Sequence, residues 1–145
     1  MARIVEHTEG DIHYDKRFWK TEFPIHNTVD AISHATCAMS IDLGAKAIVA
    51  CYLSGRTVRM VSRFRPPVDI LGITTNERTW RMLSLSWGVL PMMCEEVPSS
   101  DVLFYTAKKA AKERLSLSAG DEVIITAGLI NGKPGTTNLL KVETI

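Results

Sequence analysis

The chain has 145 residues, 46% of them apolar, and 17 Lys and Arg against 16 Asp and Glu leave a formal net charge of +1. That length suits one domain with its own core, and the near-cancelled charge supplies no broad field for nucleic acid or an anionic membrane surface. No apolar run approaches the roughly 20 residues that cross a bilayer, the opening MARIVEHTEGD lacks a signal peptide's apolar stretch, and Cys37, Cys51 and Cys94 form no C-x-x-C pair, so the expected setting is a reducing cytoplasm with the thiols acting as small buried hydrophobes.

In chain order, residues 2–10 read as a short helix. Residues 11–26, DIHYDKRFWKTEFPIH, mix charge with Tyr14, Phe18, Trp19 and Phe23 and show no clean period. They read either as an arm or linker that docks on something outside this sequence, or as a surface loop that packs its aromatics on its own domain. Asn27 or Thr28 caps a helix running to Leu43, with Ile32, Ala35, Met39 and Leu43 on one face and Gly44 at its end. AKAIVACY is short, apolar and strand-like. Residues 55–65 form a second helix, stopped by Pro66 and Pro67. DILGIT is the second strand, and Thr74 with Glu77 has the spacing of a capping box opening a helix through Trp80 and Leu83. GVLPMMC is the third strand. Ser99 to Leu115 is a long helix with a lysine-rich outer face, turned by Gly120 and Asp121. EVIITAG, the Gly-rich LINGKPGTT and NLLKVETI follow as strand, loop and strand.

Strand and helix alternate, so the expected fold class is α/β, a three-layer α/β/α sandwich on a five-stranded mixed sheet. Only about nine residues join the last two strands. A parallel crossover needs roughly a dozen or more, so the fifth strand is expected antiparallel on the edge. Right-handed crossovers with short links then give the order 3-2-1-4-5. That edge strand, with Leu140 and Val142 alternating against Lys141 and Glu143, is expected to have one buried and one wet face. An exposed edge carries unpaired N–H and C=O groups, which are left wet, covered, here by the 11–26 arm, or used for pairing.

Strands 1 and 4 are neighbours whose chains leave in opposite directions. Ligands of open α/β sheets bind at such a switch point, outside the carboxyl ends of the strands. The loop YLSGRT opens a helix there, whose free N–H groups and positive dipole end suit an anion. Ser54 and Thr57 add hydroxyls, Gly55 lets the backbone come close, and Arg56 adds a fork of donors. The facing loop contributes Lys133, Gly135, Thr136 and Thr137, and the two together read as a phosphate cradle. The same Ser-Gly-x-Thr run is also a plain helix cap. Arg56, Arg59 and Arg63 share a helix face, but no aromatics interleave with them as a single-strand platform requires. There is no Walker-type loop, metal-spaced carboxylate cluster or nucleophile triad, and His7, His13, His26 and His34 are scattered, each expected as a packed or exposed side chain.

The run from AISHATCAMS through LSGRTVRMVSRFRPP to WGVLPMM, and the close GDEVIITAG with GKPGTTNLLKV, resemble the C-terminal domain of pyruvate kinases. The opening MARIVEHTE is similar to the helix that ends the family's catalytic barrel. The resemblance therefore implies two parts: residues 1–26, an N-terminal helix and arm left from the junction of barrel and C-terminal domain, and residues 27–145, the domain itself. It implies that the parent enzyme transfers phosphoryl from phosphoenolpyruvate to ADP in glycolysis, with magnesium and potassium. No counterpart of the barrel lies in these 145 residues, so no cofactor and no catalytic residue is assigned here and the chain alone is expected to be inactive. It is either a part of a longer protein or a free-standing relative of the regulatory domain.

The resemblance implies two jobs for the domain, homo-oligomer assembly and binding of a sugar-phosphate effector; as the family joins these domains across a two-fold axis, the fifth strand, with Leu140, Lys141, Val142 and Glu143, is expected to pair antiparallel with its own copy in a symmetric dimer. Of the family's Thr-x-Ser-Gly-x-Thr/Ser phosphate loop, Ser54, Gly55, Arg56 and Thr57 match, while Tyr52 stands for the leading Thr. Leu103 stands where bisphosphate-responsive members place an Arg. A single phosphate, as in ribose 5-phosphate, glucose 6-phosphate, AMP or inorganic phosphate and sulfate, suits the remaining groups. A free-standing enzyme or binding protein acting on a phosphorylated small molecule in the same crevice is the alternative.

Overall fold

A computed structural model describes residues 2–51, 55–128 and 137–145. Its elements in order are α1 (Ala2–Asp11), α2 (Tyr14–Lys20), α3 (Thr28–Asp42), β1 (Ala47–Cys51), α4 (Arg56–Arg63), β2 (Asp69–Thr74), α5 (Glu77–Leu83), β3 (Val89–Met93), α6 (Ser100–Arg114), β4 (Glu122–Gly128) and β5 (Thr137–Thr144). The five strands form one sheet in the order β3-β2-β1-β4-β5. The first four are parallel and β5 runs antiparallel to β4. Fold class, strand order and the reversed edge strand are therefore those that the link lengths dictate.

Every residue of β1 is buried, because helices cover both faces of the sheet at its centre. Ile48 and Ala50 point to one side and pack with Ile124 against Cys37 of α3, Val58 and Val61 of α4 and Leu83 of α5. Ala47, Val49 and Cys51 point to the other and meet Ala107, Ala110 and Ala111 of α6. Continuous apolar strands are what a parallel sheet covered on both faces demands. The alanine face of α6 lets that helix approach its sheet closely. Burial pushes the thiols of Cys37 and Cys51 up, the latter to about 12 with a smaller contribution from Cys94, so both act as hydrophobes. Cys94 is half-buried, its thiol also raised by burial.

Several local expectations are corrected. Residues 14–20 form a helix, and its Phe18 is 2% exposed. The Phe18 ring stacks on His34 at 4.9 Å and meets Phe23 and Phe64 at 5.6 and 6.4 Å. The arm thus anchors on its own domain. α1 meets the domain where Trp87 Nε1 donates to Glu9 Oε1 at 3.3 Å, beside the Tyr14–Trp87 ring contact of 4.9 Å.

On α3 the buried stripe is Val29, Ser33, Thr36, Cys37 and Ser40, while Ala35 and Leu43 are exposed. Small hydroxyl side chains can be buried cheaply on a helix, since they return their protons to its own carbonyls. Thr36 donates to Ile32 O at 2.7 Å and Ser40 to Cys37 O at 2.8 Å. Asn27 is the cap, accepting from Asp30 N at 3.0 Å. The Asp30 carboxylate in turn accepts from His26 N and Asn27 Nδ2 and lies 4.0 Å from Arg63. α5 is capped by Asn76, which accepts from Thr79 N at 2.9 Å, and not by Thr74. Thr74 is still in β2, paired with Met93, so it sits too early to serve as the cap.

The edge strand also departs from a simple wet-and-dry division. Leu140 packs toward the α3 and α4 side, but Val142 remains 37% exposed. Lys141, which stays exposed, and Glu143 lie on the α6 side of the sheet. The Lys141 ammonium is 4.5 Å from the Phe104 ring centre and 2.5 Å from Glu143, and Glu143 is 3.9 Å from Lys108. No helix among the described residues is long and apolar enough to cross a membrane.

Candidate functional site

β1 and β4 lie side by side and in register, with Cys51 opposite Ala127. The chain leaves β1 toward α4 on the face that α3 and α5 share, while β4 is followed by residues 129–136 and then the antiparallel β5. The crevice expected from sequence is therefore bounded by the first turn of α4 and the first residue of β5. Tyr52, Ser54, Lys133, Gly135 and Thr136 lie outside the described residues. Gly55, Arg56, Thr57 and Thr137 lie within them.

Gly55 is the residue on which the turn pivots. Its φ of +63° is left-handed, its carbonyl accepts the first helical bond from Arg59 N at 3.1 Å, and it caps α4 without a side chain. A Cβ placed there would lie 2.7 Å from Thr79 Cγ2 and 3.2 Å from Leu83 Cδ2. Helix α5 thus fills the space that a side chain would need. The packing of α5 against the turn is a second reason, besides the left-handed φ, for glycine at this position.

Arg56, the first residue of α4, is exposed. Thr57 is 1% exposed, and its hydroxyl shares a hydrogen bond with the Thr137 hydroxyl, Thr137 being equally buried. Arg63 is spent inside the domain: it lies near Asp30, donates to Pro24 O at 3.2 Å and covers the Phe64 ring at 5.3 Å. Leu103 is half-buried against the α6-side core. Of the histidines, His34 is packed in the Phe18 cluster. No group of three or more His, Cys, Asp or Glu among the described residues is placed to hold a metal ion. A second cleft, of about 440 Å³, opens at the opposite end of the sheet between Asp15, Lys46 and Asp69. It faces the amino ends of the parallel strands, away from the switch point.

The family model for the alpha/beta domain of pyruvate kinase matches residues 30–143. The chain belongs to the pyruvate kinase alpha/beta-domain family. Curated pyruvate kinases agree with that membership. The one from Clostridium acetobutylicum is 37% identical over 146 aligned positions, covering all of this chain and 31% of the relative. Those from Staphylococcus aureus strain USA300 and Lactobacillus delbrueckii subsp. bulgaricus are 38% and 37% identical, over 100% and 86% of this chain and 25% and 21% of the relatives. The chain thus spans between about a fifth and a third of the length of these curated relatives. The family model spans from within α3 to β5, whereas the Clostridium and Staphylococcus alignments also take in α1 and α2. This pyruvate kinase domain therefore carries its N-terminal helices as part of the stretch it shares with the full-length enzymes.

Proposed function

We propose that this chain acts as the regulatory and assembly domain of a pyruvate kinase, binding one phosphate group of a small effector in the crevice between the α4 amino terminus and the start of β5. One observation carries the reading: a helix amino terminus and the incoming edge strand meet at the carboxyl ends of adjacent parallel strands, where open α/β sheets take ligands. Arg56, exposed at the mouth of α4, is the described cation best placed to meet an anion. Ser54, Lys133, Gly135 and Thr136 enter the reading from the sequence. Tyr52 and Leu103 favour a monophosphate over a bisphosphate. Phosphoryl transfer from phosphoenolpyruvate to ADP, with its magnesium and potassium, belongs in this reading to the barrel of the parent enzyme.

Titration calorimetry with ribose 5-phosphate and with sulfate tests the site. Arg56→Ala is expected to weaken binding by about 1.5–3 kcal/mol, as loss of a charged hydrogen bond does, and Ser54→Ala by about 0.5–1.5 kcal/mol. Unchanged affinity in both variants places the anion elsewhere.

The assembly role rests on β5. It is the sheet's edge, its outer backbone groups face no strand among the described residues, and Val142 stays 37% exposed on it. Phe18 holds the arm against His34 and Phe64, so that segment is committed elsewhere. Antiparallel pairing of β5 with its own copy about a two-fold axis continues the sheet through a dimer. Sedimentation of wild type and Val142→Pro at matched concentration is expected to show dimer and monomer respectively: the Ile145 N–H turns inward to Asp121 O, so by alternation the Val142 N–H lies on the outer side of β5, and proline removes that outer donor. A monomeric wild type, or a folded variant that stays dimeric, removes β5 from the interface.

A further inference from the structure

Thr57 and Thr137 are 80 residues apart in sequence, yet their hydroxyls bond each other at a site where both residues are 1% exposed. The pairing depends on a defect in β5. Opposite β4, Leu140 faces Thr126 and Leu139 faces Ala127, but Gly128 faces Thr137, so Asn138 is the extra residue of a bulge. Side chains alternate along a strand. Lys141 lies over Phe104 and Ile145 packs with the α6-side core, so odd-numbered residues of β5 belong to that side. An unbroken strand would send Thr137 there as well. The extra residue turns it to the opposite face, onto α4. Re-aiming one side chain is what a bulge beside a site does.

Each hydroxyl has one proton to donate and can accept two. In the pair, one threonine spends its proton on the other, so together they can offer an anion a single donor where two separate hydroxyls would offer two. With Thr57 buried as it is, its oxygen is out of reach of a ligand in this arrangement. We propose that the Thr57–Thr137 bond is a latch on the phosphate site: an entering anion displaces Thr137 from the Thr57 hydroxyl and so releases the first residue of the edge strand β5. The inference rests on the phosphate reading and deepens it, since it links occupancy of the crevice to the strand at the sheet's border.

The latch has a signature that a plain binding residue lacks. Binding to wild type exchanges one hydrogen bond of Thr57 for another, so Thr57 contributes little net affinity. Removing only the Thr137 hydroxyl leaves Thr57 unpaired beforehand and lets the anion gain that bond outright. Valine keeps the branched shape that a strand accepts. Titration with inorganic sulfate of wild type, Thr137→Val, Thr57→Val and the double variant forms the cycle. Thr137→Val is expected to bind sulfate roughly two- to tenfold more tightly, the range that one net hydrogen bond spans. Thr57→Val and the double variant are expected to stay close to wild type. Binding by wild type with unchanged or weaker binding by Thr137→Val overturns the latch and leaves the phosphate reading standing. No binding by any of the four proteins overturns both.

A second measurement needs no variant. Saturating sulfate is expected to speed amide exchange at Leu139 and Lys141 of wild type, whose N–H groups turn toward β4, while leaving Ile70 and Leu71 of β2 unchanged. Sulfate that binds and leaves β5 exchange unaltered also overturns the latch.

Discussion

Replacing Phe18 by alanine is expected to lower the unfolding free energy by about 3–5 kcal/mol, the usual cost of removing a buried phenylalanine. The ring is 2% exposed and is met by His34, Phe23 and Phe64, so its removal opens a cavity bordered by α3 and by the residue that ends α4. Trp19, the next residue, is 54% exposed and touches the Phe18 ring edge-on at 5.1 Å. Trp19→Ala is expected to cost less than about 1 kcal/mol, being an exposed substitution with one aromatic contact. Urea unfolding of the two variants beside wild type checks the pair. A small loss for both would mean that the arm does not anchor on its own domain, and that α2 needs another surface to hold it. The size matters because whole domains are stable by only about 5–15 kcal/mol. On that scale one residue of a seven-residue helix decides whether residues 2–26 stay attached to the domain they precede.

The sheet was legible because its signals are covalent and continuous. β2 and β4 are apolar runs with sharp ends, and the length of the link between β4 and β5 settles their relative direction. α2 was not legible, since seven residues give less than two full turns for a period and the anchoring comes from one ring meeting residues far along the chain. The buried face of α3 misled hydropathy for a different reason. Ser33, Thr36 and Ser40 count as polar, yet bonds from Thr36 and Ser40 back to the helix make much of that face cheap to bury. At the crevice, the glycine of Ser-Gly-Arg-Thr signals a special backbone, and a φ of +63° confirms it. What presses on that backbone is α5, whose Thr79 and Leu83 come more than twenty residues later, and no local pattern carries that information. Thr137 is subtler still. Strict alternation puts it on the α6 side, and only the bulge at Asn138 brings it to Thr57.

Gly55 is accordingly under two constraints, and a set of substitutions separates them. Alanine at a left-handed φ costs about 1–2 kcal/mol from backbone sterics alone. Gly44 supplies that reference, because its φ is +61° and nothing lies within 4 Å of where its Cβ would be. Gly44→Ala is therefore expected to cost only the backbone share. Gly55→Ala carries the same share and also drives a methyl to 2.7 Å from Thr79 Cγ2 and 3.2 Å from Leu83 Cδ2. Overpacking of this kind adds about 1–3 kcal/mol, for a total of about 2–5 kcal/mol. Thr79→Ser removes the nearest offending carbon while keeping the hydroxyl, so in the Gly55→Ala background it is expected to restore part of the packing share. In the Gly44→Ala background it should restore nothing. Thermal and urea unfolding of the five proteins, wild type included, gives each share directly. Equal losses for Gly44→Ala and Gly55→Ala, with no rescue by Thr79→Ser, would mean that α5 does not press on the turn. The expected inequality assigns the space beside the Gly55 turn to α5.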